Sequence, residues 1–132
     1  MREEGEFVFI SMLWRDAMNI LRFCILALFP ATMLIFGRAM AKCPPKKINS
    51  LLGYRTRRSM SSKEAWAYAN KCCGKYWVVC GFVTLPLAVA AFFLFLRQAF
   101  FDTILVIFIF IQLAVLLSAI PATEISLKKQ GY

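Results

Sequence analysis

The chain has 132 residues, 61% of them hydrophobic and only 17% charged, with a formal net charge of +9. A soluble domain of this size has more surface than so few charges can cover, which excludes an ordinary soluble globule and points to helices packed within a bilayer. The absence of histidine removes the commonest general base, and no nucleophile–base pair, phosphate-binding glycine loop or carboxylate dyad is visible, so neither enzymatic activity nor a cofactor is expected.

The segment 1–19 opens with Glu3, Glu4 and Glu6 and continues into an apolar stretch, 7–14, ended by Arg15-Asp16. Eight residues are too short to span, so a plain interfacial lead-in is expected, the alternative being an outward extension of the first helix with Trp14 at headgroup level. The first predicted span is 20–37, apolar apart from Arg22 and Thr32, with Pro30 in its middle; Arg22 is expected to reach back to the interface. The second span is 76–96, with Thr84 and Pro86 as its interruptions, and the third is 103–120, with Gln112 and Ser118 as its polar interior residues. Each falls near the roughly 17–25 residues that cross about 30 Å of hydrocarbon. A signal-peptide reading, with cleavage after Ala39-Met40-Ala41, is weakened by Arg38 and by the acidic residues that precede the apolar run.

Between the first two spans lies a connector, 38–75, which holds ten of the sixteen Lys/Arg residues and one acid, Glu64. Its charge equals that of the whole protein. By the positive-inside bias the connector is cytoplasmic, which places the N-terminus and the 97–102 turn outside, and the 121–132 tail with Lys128 and Lys129 inside. Cys43-Pro44-Pro45 ends any helix leaving the first span. An irregular loop is expected over 46–59, with Gly53 supplying a turn. Ser61 and Glu64 have the spacing of a capping box, so a helix is expected from about residue 62. Lying near the cytoplasmic surface and feeding the second span, it would carry Trp66, Asn70, Cys73 and Trp77 on one face. The expected fold is therefore all-α: a single integral membrane domain with three transmembrane helices and a basic cytoplasmic connector containing an amphipathic interfacial helix.

Asn49, then Gly53-Tyr54-Arg55-Thr56, Ser59, Trp66, Ala69-Asn70, Gly74-Lys75 and Trp77 form an ordered set of unusual residue types beside a span. This set resembles the signature of the SdpI family of small bacterial membrane proteins over 48–81, and Thr123-Glu124 adds a weaker agreement. Ile48 stands where a proline is expected, Arg57-Arg58 replace a Pro-Trp pair of longer members, and the chain is half the length of the six-span member that names the family. The resemblance implies a multi-pass protein of the bacterial inner membrane. It also implies immunity against a secreted peptide toxin that dissipates the membrane potential, and sequestration of a cytosolic regulator at the membrane. The family-typical positions carried over are Asn49, Gly53, Arg55, Thr56, Trp66, Gly74 and Lys75.

Read physically, Lys46, Lys47, Arg57 and Arg58 suit anionic lipid headgroups, each worth about 1 kcal/mol near a charged surface. Arg55 is matched with Glu124 in a clasp between connector and third span, because an Arg fork grips a carboxylate with two bonds. Trp66 and Trp77 read as interface anchors and Asn49 as a turn or cap residue. Gln112 reads as an intramembrane helix contact, and Gly81 with Ala88, Ala90 and Ala91 as surfaces for close helix approach. Cys43, Cys72 and Cys73 lack a fourth ligand, so no metal site is expected. A connector pinned at both ends to a membrane favours lipid over nucleic acid. Two function classes stay open: an immunity or regulator-binding module, and an oligomeric transport or channel subunit built around Gln112, Thr84 and Ser118. The near absence of intramembrane charge weighs against coupled ion transport.

Overall fold

A computed structural model describes residues 2–48 and 53–132. Three helices make up the bundle: α1 (Arg2–Lys42), α2 (Lys63–Phe95) and α3 (Phe101–Lys129). Each contains a stretch long and apolar enough to cross a membrane. The polypeptide thus has the all-helical architecture with three candidate membrane spans that hydropathy predicts, and α2 ends within one residue of the expected boundary.

The helices overrun the predicted spans at the other ends. α1 begins at Arg2 and passes through both Arg15-Asp16 and Pro30 without a break, so the expected interfacial lead-in is the first part of one 41-residue helix. α3 likewise runs through Pro121 into the expected tail. The interfacial helix of the connector does not exist as a separate element. Residues 63–75 are the first turns of α2, where Ala65, Trp66, Ala69, Asn70, Cys73 and Gly74 are buried. The physical reason is that the connector and the end of α3 cover this face, leaving no apolar side for a membrane surface. The N-cap is Ser62, whose hydroxyl accepts from Ala65 N, one residue later than the predicted Ser61–Glu64 box; Ser61 donates to Arg58 O instead.

α1 and α2 form the principal pair, and glycines set their separation. A Cβ at Gly74 would lie 2.6 Å from Ala41 N and 2.7 Å from Gly37 O, so the two backbones touch at this crossing. One turn-pair further along, Gly81 seats against Leu34 and the Pro30 carbonyl. Small residues allow this approach, from which membrane helices gain close packing. Side chains then pack in two layers. Near the connector, Tyr54, Ala65, Ala69, Cys73, Ala119 and Leu127 cluster, with Trp77 half-buried against them. At the opposite end, Leu26, Ala88, Phe92, Phe101 and Leu105 form the second layer.

Among the described residues, two polar links tie α1 to α3. Arg22 Nη2 lies 2.8 Å from Asp102 Oδ1 and 2.9 Å from Oδ2, with its guanidinium over the Phe101 ring. Arg22 therefore reaches the first turn of α3. The second link answers a defect. Pro30 has no N–H, so the Leu26 carbonyl one turn earlier loses its helical donor. Gln112 Nε2 donates to that carbonyl at 3.1 Å, and Gln112 is buried. Gln112 thus joins α3 to α1. Gln112→Leu is expected to cost about 1 kcal/mol of thermal stability in detergent. Adding Pro30→Ala, which returns the missing N–H, should recover part of that loss; no recovery would separate the two residues.

Candidate functional site

The connector folds back onto the bundle instead of lying loose above it. Gly53 has φ +112°, a conformation that side-chain-bearing residues avoid, and it sits against Asn70 and the Trp66 ring of α2. Tyr54, next in sequence, is buried, and its backbone N–H donates to Asn70 Oδ1 at 2.7 Å. The Asn70 amide in turn donates to the Trp66 carbonyl at 2.8 Å. Trp66 is fully buried, and its indole N–H donates to Pro45 O at 2.8 Å, which ties the Cys43-Pro44-Pro45 stretch to α2. Trp66 is therefore an internal clamp, not the headgroup anchor that its residue type suggested. Trp77 also spends its indole N–H inside, on Leu116 O of α3.

A tight turn follows Tyr54. Thr56 N–H donates to Ser59 Oγ, Ser59 N–H donates to Thr56 Oγ1, and the buried Ser59 hydroxyl lies 3.0 Å from the Tyr54 carbonyl. This local closure, typical of Ser and Thr in turns, holds residues 54–59 as one compact piece. Its far anchor is on α3. The Tyr54 hydroxyl lies 3.0 Å from Ile120 O and 3.1 Å from Glu124 Oε1. Burial, then the hydrogen bond to Glu124, pushes the Tyr54 phenol above its ordinary pKa, so it remains a donor across the neutral range.

Glu124 does clasp the connector, but through Tyr54 and Arg58. Arg58 Nε is 3.7 Å from Glu124 Oε2, whereas Arg55 is exposed and makes no ion pair with the described residues. The turn between Thr56 and Ser59 accounts for the change of partner: it swings residue 58 toward α3 and leaves residue 55 at the rim. An ion pair as exposed as this one contributes only about 0–1 kcal/mol, so the Tyr54 hydrogen bonds anchor the loop more than the charges do.

Beneath the loop lies a cavity of about 480 Å³ between α1 and α3. Met33, Phe36 and Met40 form one wall, Leu116, Leu117 and Ile120 the other, and Cys73 and Trp77 of α2 its back. The 53–56 turn closes one end, which places Arg55 and Thr56 at the polar rim of an otherwise apolar space. Such a space accepts an apolar segment whose polar or anionic end meets the guanidinium.

Of the positions singled out in the sequence, Gly53, Thr56, Trp66 and Glu124 meet in this one assembly, and Arg55 borders it. Gly74 acts at the helix crossing. Lys75 points away from the cavity, into a separate groove with Arg38 and Lys42. Lys46, Lys47 and Arg57 are exposed on the connector. Asn49 lies outside the described residues. Tyr54, Ser59 and Asn70 carry more of the assembly than the sequence analysis assigned to them. Asn70 was detectable there as a carboxamide on the Trp66–Cys73 face, in a position where a polar side chain demands partners.

Uncharacterized protein YfhL of Bacillus subtilis (strain 168) is 45% identical over 51 residues, a match that covers 39% of this chain and 46% of that protein. The chain thus matches about half the length of that relative. No solved structure matches it. Residues 46–122, more than half of the chain, match the family whose description is SdpI/YfhL, and they contain the loop, the clamp and most of the cavity wall. The chain is a member of the SdpI/YfhL protein family.

Proposed function

We propose that this membrane protein protects its host bilayer against a membrane-active peptide, receiving an apolar segment of that peptide in the cavity under the 53–56 loop. The observation that carries this reading is the cavity itself: an apolar space, roofed by the segment that matches the family, with an arginine at its rim that makes no ion pair with the described residues. Because it lies between α1 and α3, a peptide already inserted in the bilayer reaches it sideways, without crossing the loop. In this reading the protein sits in a bacterial inner membrane with the connector cytoplasmic, the N-terminus outside and the C-terminus inside. The exposed basic residues of the connector are then available to a cytosolic regulator.

The test is membrane potential, read with a dye in sensitive bacteria challenged with a potential-collapsing peptide. Cells expressing the intact protein are expected to hold their potential. Cells with empty vector, with Arg55→Ala, or with Leu117→Trp, which fills the cavity from its half-exposed wall, are expected to lose it at matched protein levels. Equal collapse in all four across several such peptides overturns the reading. Collapse on expression alone, without peptide, would mark the protein as a conductive subunit.

A further inference from the structure

A second surface, on the opposite side of α1 from the cavity, joins charge to an apolar floor. Arg38 and Lys42 stand one turn apart on α1, and Lys75 faces them from α2. Together they border a groove of about 380 Å³ whose floor is Val78, Val79 and Phe82. All three cations are exposed, and no carboxylate lines the groove. The Arg38 guanidinium lies 6.0 Å from the Phe82 ring centroid, which directs it over the floor. The Gly37–Gly74 contact explains why the groove exists. Two backbones that touch there leave no side chain to fill the notch beside the crossing.

We infer that this groove is a binding site for an anionic phospholipid, its phosphate held among Arg38, Lys42 and Lys75 and an acyl chain lying along Val78, Val79 and Phe82. Charge complementarity commits the site to that occupant: three cations, with no carboxylate among the described residues that line the groove, at the end of an apolar strip match a headgroup anion with hydrocarbon attached. A zwitterionic lipid brings its own cation to the same place and loses the advantage. Basic pockets between spans hold anionic headgroups on the same principle. These residues differ from the loop cations Arg57 and Arg58, which line a separate pocket together with Glu124. The inference is independent of the protective role, because the groove shares no residue with the cavity.

The test uses the full chain, delipidated in detergent, with dioleoyl phosphatidylglycerol, dioleoyl phosphatidylcholine and free glycerol phosphate as probes, and native mass spectrometry to count what stays bound. The intact protein is expected to retain one phosphatidylglycerol in preference to phosphatidylcholine, and not to retain glycerol phosphate. R38Q/K42Q/K75Q should weaken the phosphatidylglycerol complex about ten-fold or more. K63Q/K128Q/K129Q, which removes the same charge outside the groove, should stay within about two-fold of the intact protein. Should the groove variant fail to fold, Lys42→Glu, at the exposed end of α1, carries the same expectation of loss. Equal loss in the control triple, equal retention of phosphatidylcholine, or an unchanged groove variant overturns the site.

Discussion

Gly74→Ala is expected to be the most damaging single-methyl change in the protein. The added carbon would sit 2.6 Å from Ala41 N and 2.7 Å from Gly37 O, and Met40 Cβ is 2.9 Å away. The first two are backbone atoms, which cannot swing aside as the end of a long side chain can. Relief requires α1 and α2 to separate along their whole contact, because each is a rigid rod. Overpacking of this kind costs about 1–3 kcal/mol where side chains can adjust, and a backbone contact belongs at the upper end of that range. Thermal unfolding in detergent is expected to show the loss, together with a lower yield of monodisperse protein. Gly5→Ala is the control: nothing lies within 4 Å of that position, and alanine is the better helix former by about 1 kcal/mol. Equal stability of Gly74→Ala and the intact protein would mean that the helices do not cross at this residue.

The second large effect is expected at the loop. Gly53→Ala places a side chain at φ +112°, a strain of about 1–3 kcal/mol, and brings the new carbon 2.5 Å from Asn70 Oδ1 and 3.0 Å from the Trp66 ring. Asn70→Ala acts on the same joint from the other side, leaving the buried Tyr54 N–H without an acceptor at about 1–3 kcal/mol. Both variants should release the connector while the three helices stay assembled. Trypsin cleavage after Arg57 and Arg58 in detergent reads this directly. Each variant is expected to be cut about ten-fold faster than the intact protein, the kinetic counterpart of about 1.4 kcal/mol of easier opening. Asn70→Asp should retain part of the protection, since a carboxylate still accepts from Tyr54. An unchanged cleavage rate in Gly53→Ala would detach Gly53 from loop docking. Because the cavity lies under the same loop, these variants should also lose protection in the membrane-potential assay.

The same joint shows what sequence reasoning reaches and where it ends. Trp66, Asn70, Cys73 and Trp77 share one helical face by their spacing, and the first three are buried while Trp77 is half-buried. The direction it faces was not readable. A tryptophan beside a span suits the bilayer interface as well as a buried clamp, and only the position of Pro45 decides between them. Glu124 was matched to the wrong arginine for a related reason. Arg55, Arg57 and Arg58 are chemically alike, and the hydrogen bonds between Thr56 and Ser59 determine which of them turns toward α3. Arg22 and Asp102 are eighty residues apart in sequence, and their pairing depends on how far α1 and α3 are offset along their axes.

By itself, the sequence determined three long apolar segments, the scarcity of charge outside one basic connector, and family membership. Each of these is additive along the chain: hydropathy, helix-stopping prolines, charge counts and residue order need no partner to be read. The tertiary structure decided the cavity, the basic groove, the Pro30–Gln112 repair and the identity of the glutamate's partners. Those depend on the relative rotation and offset of three rods and on one loop's path. Backbone contact at Gly37 and Gly74, and a glycine-only dihedral at Gly53, set those quantities.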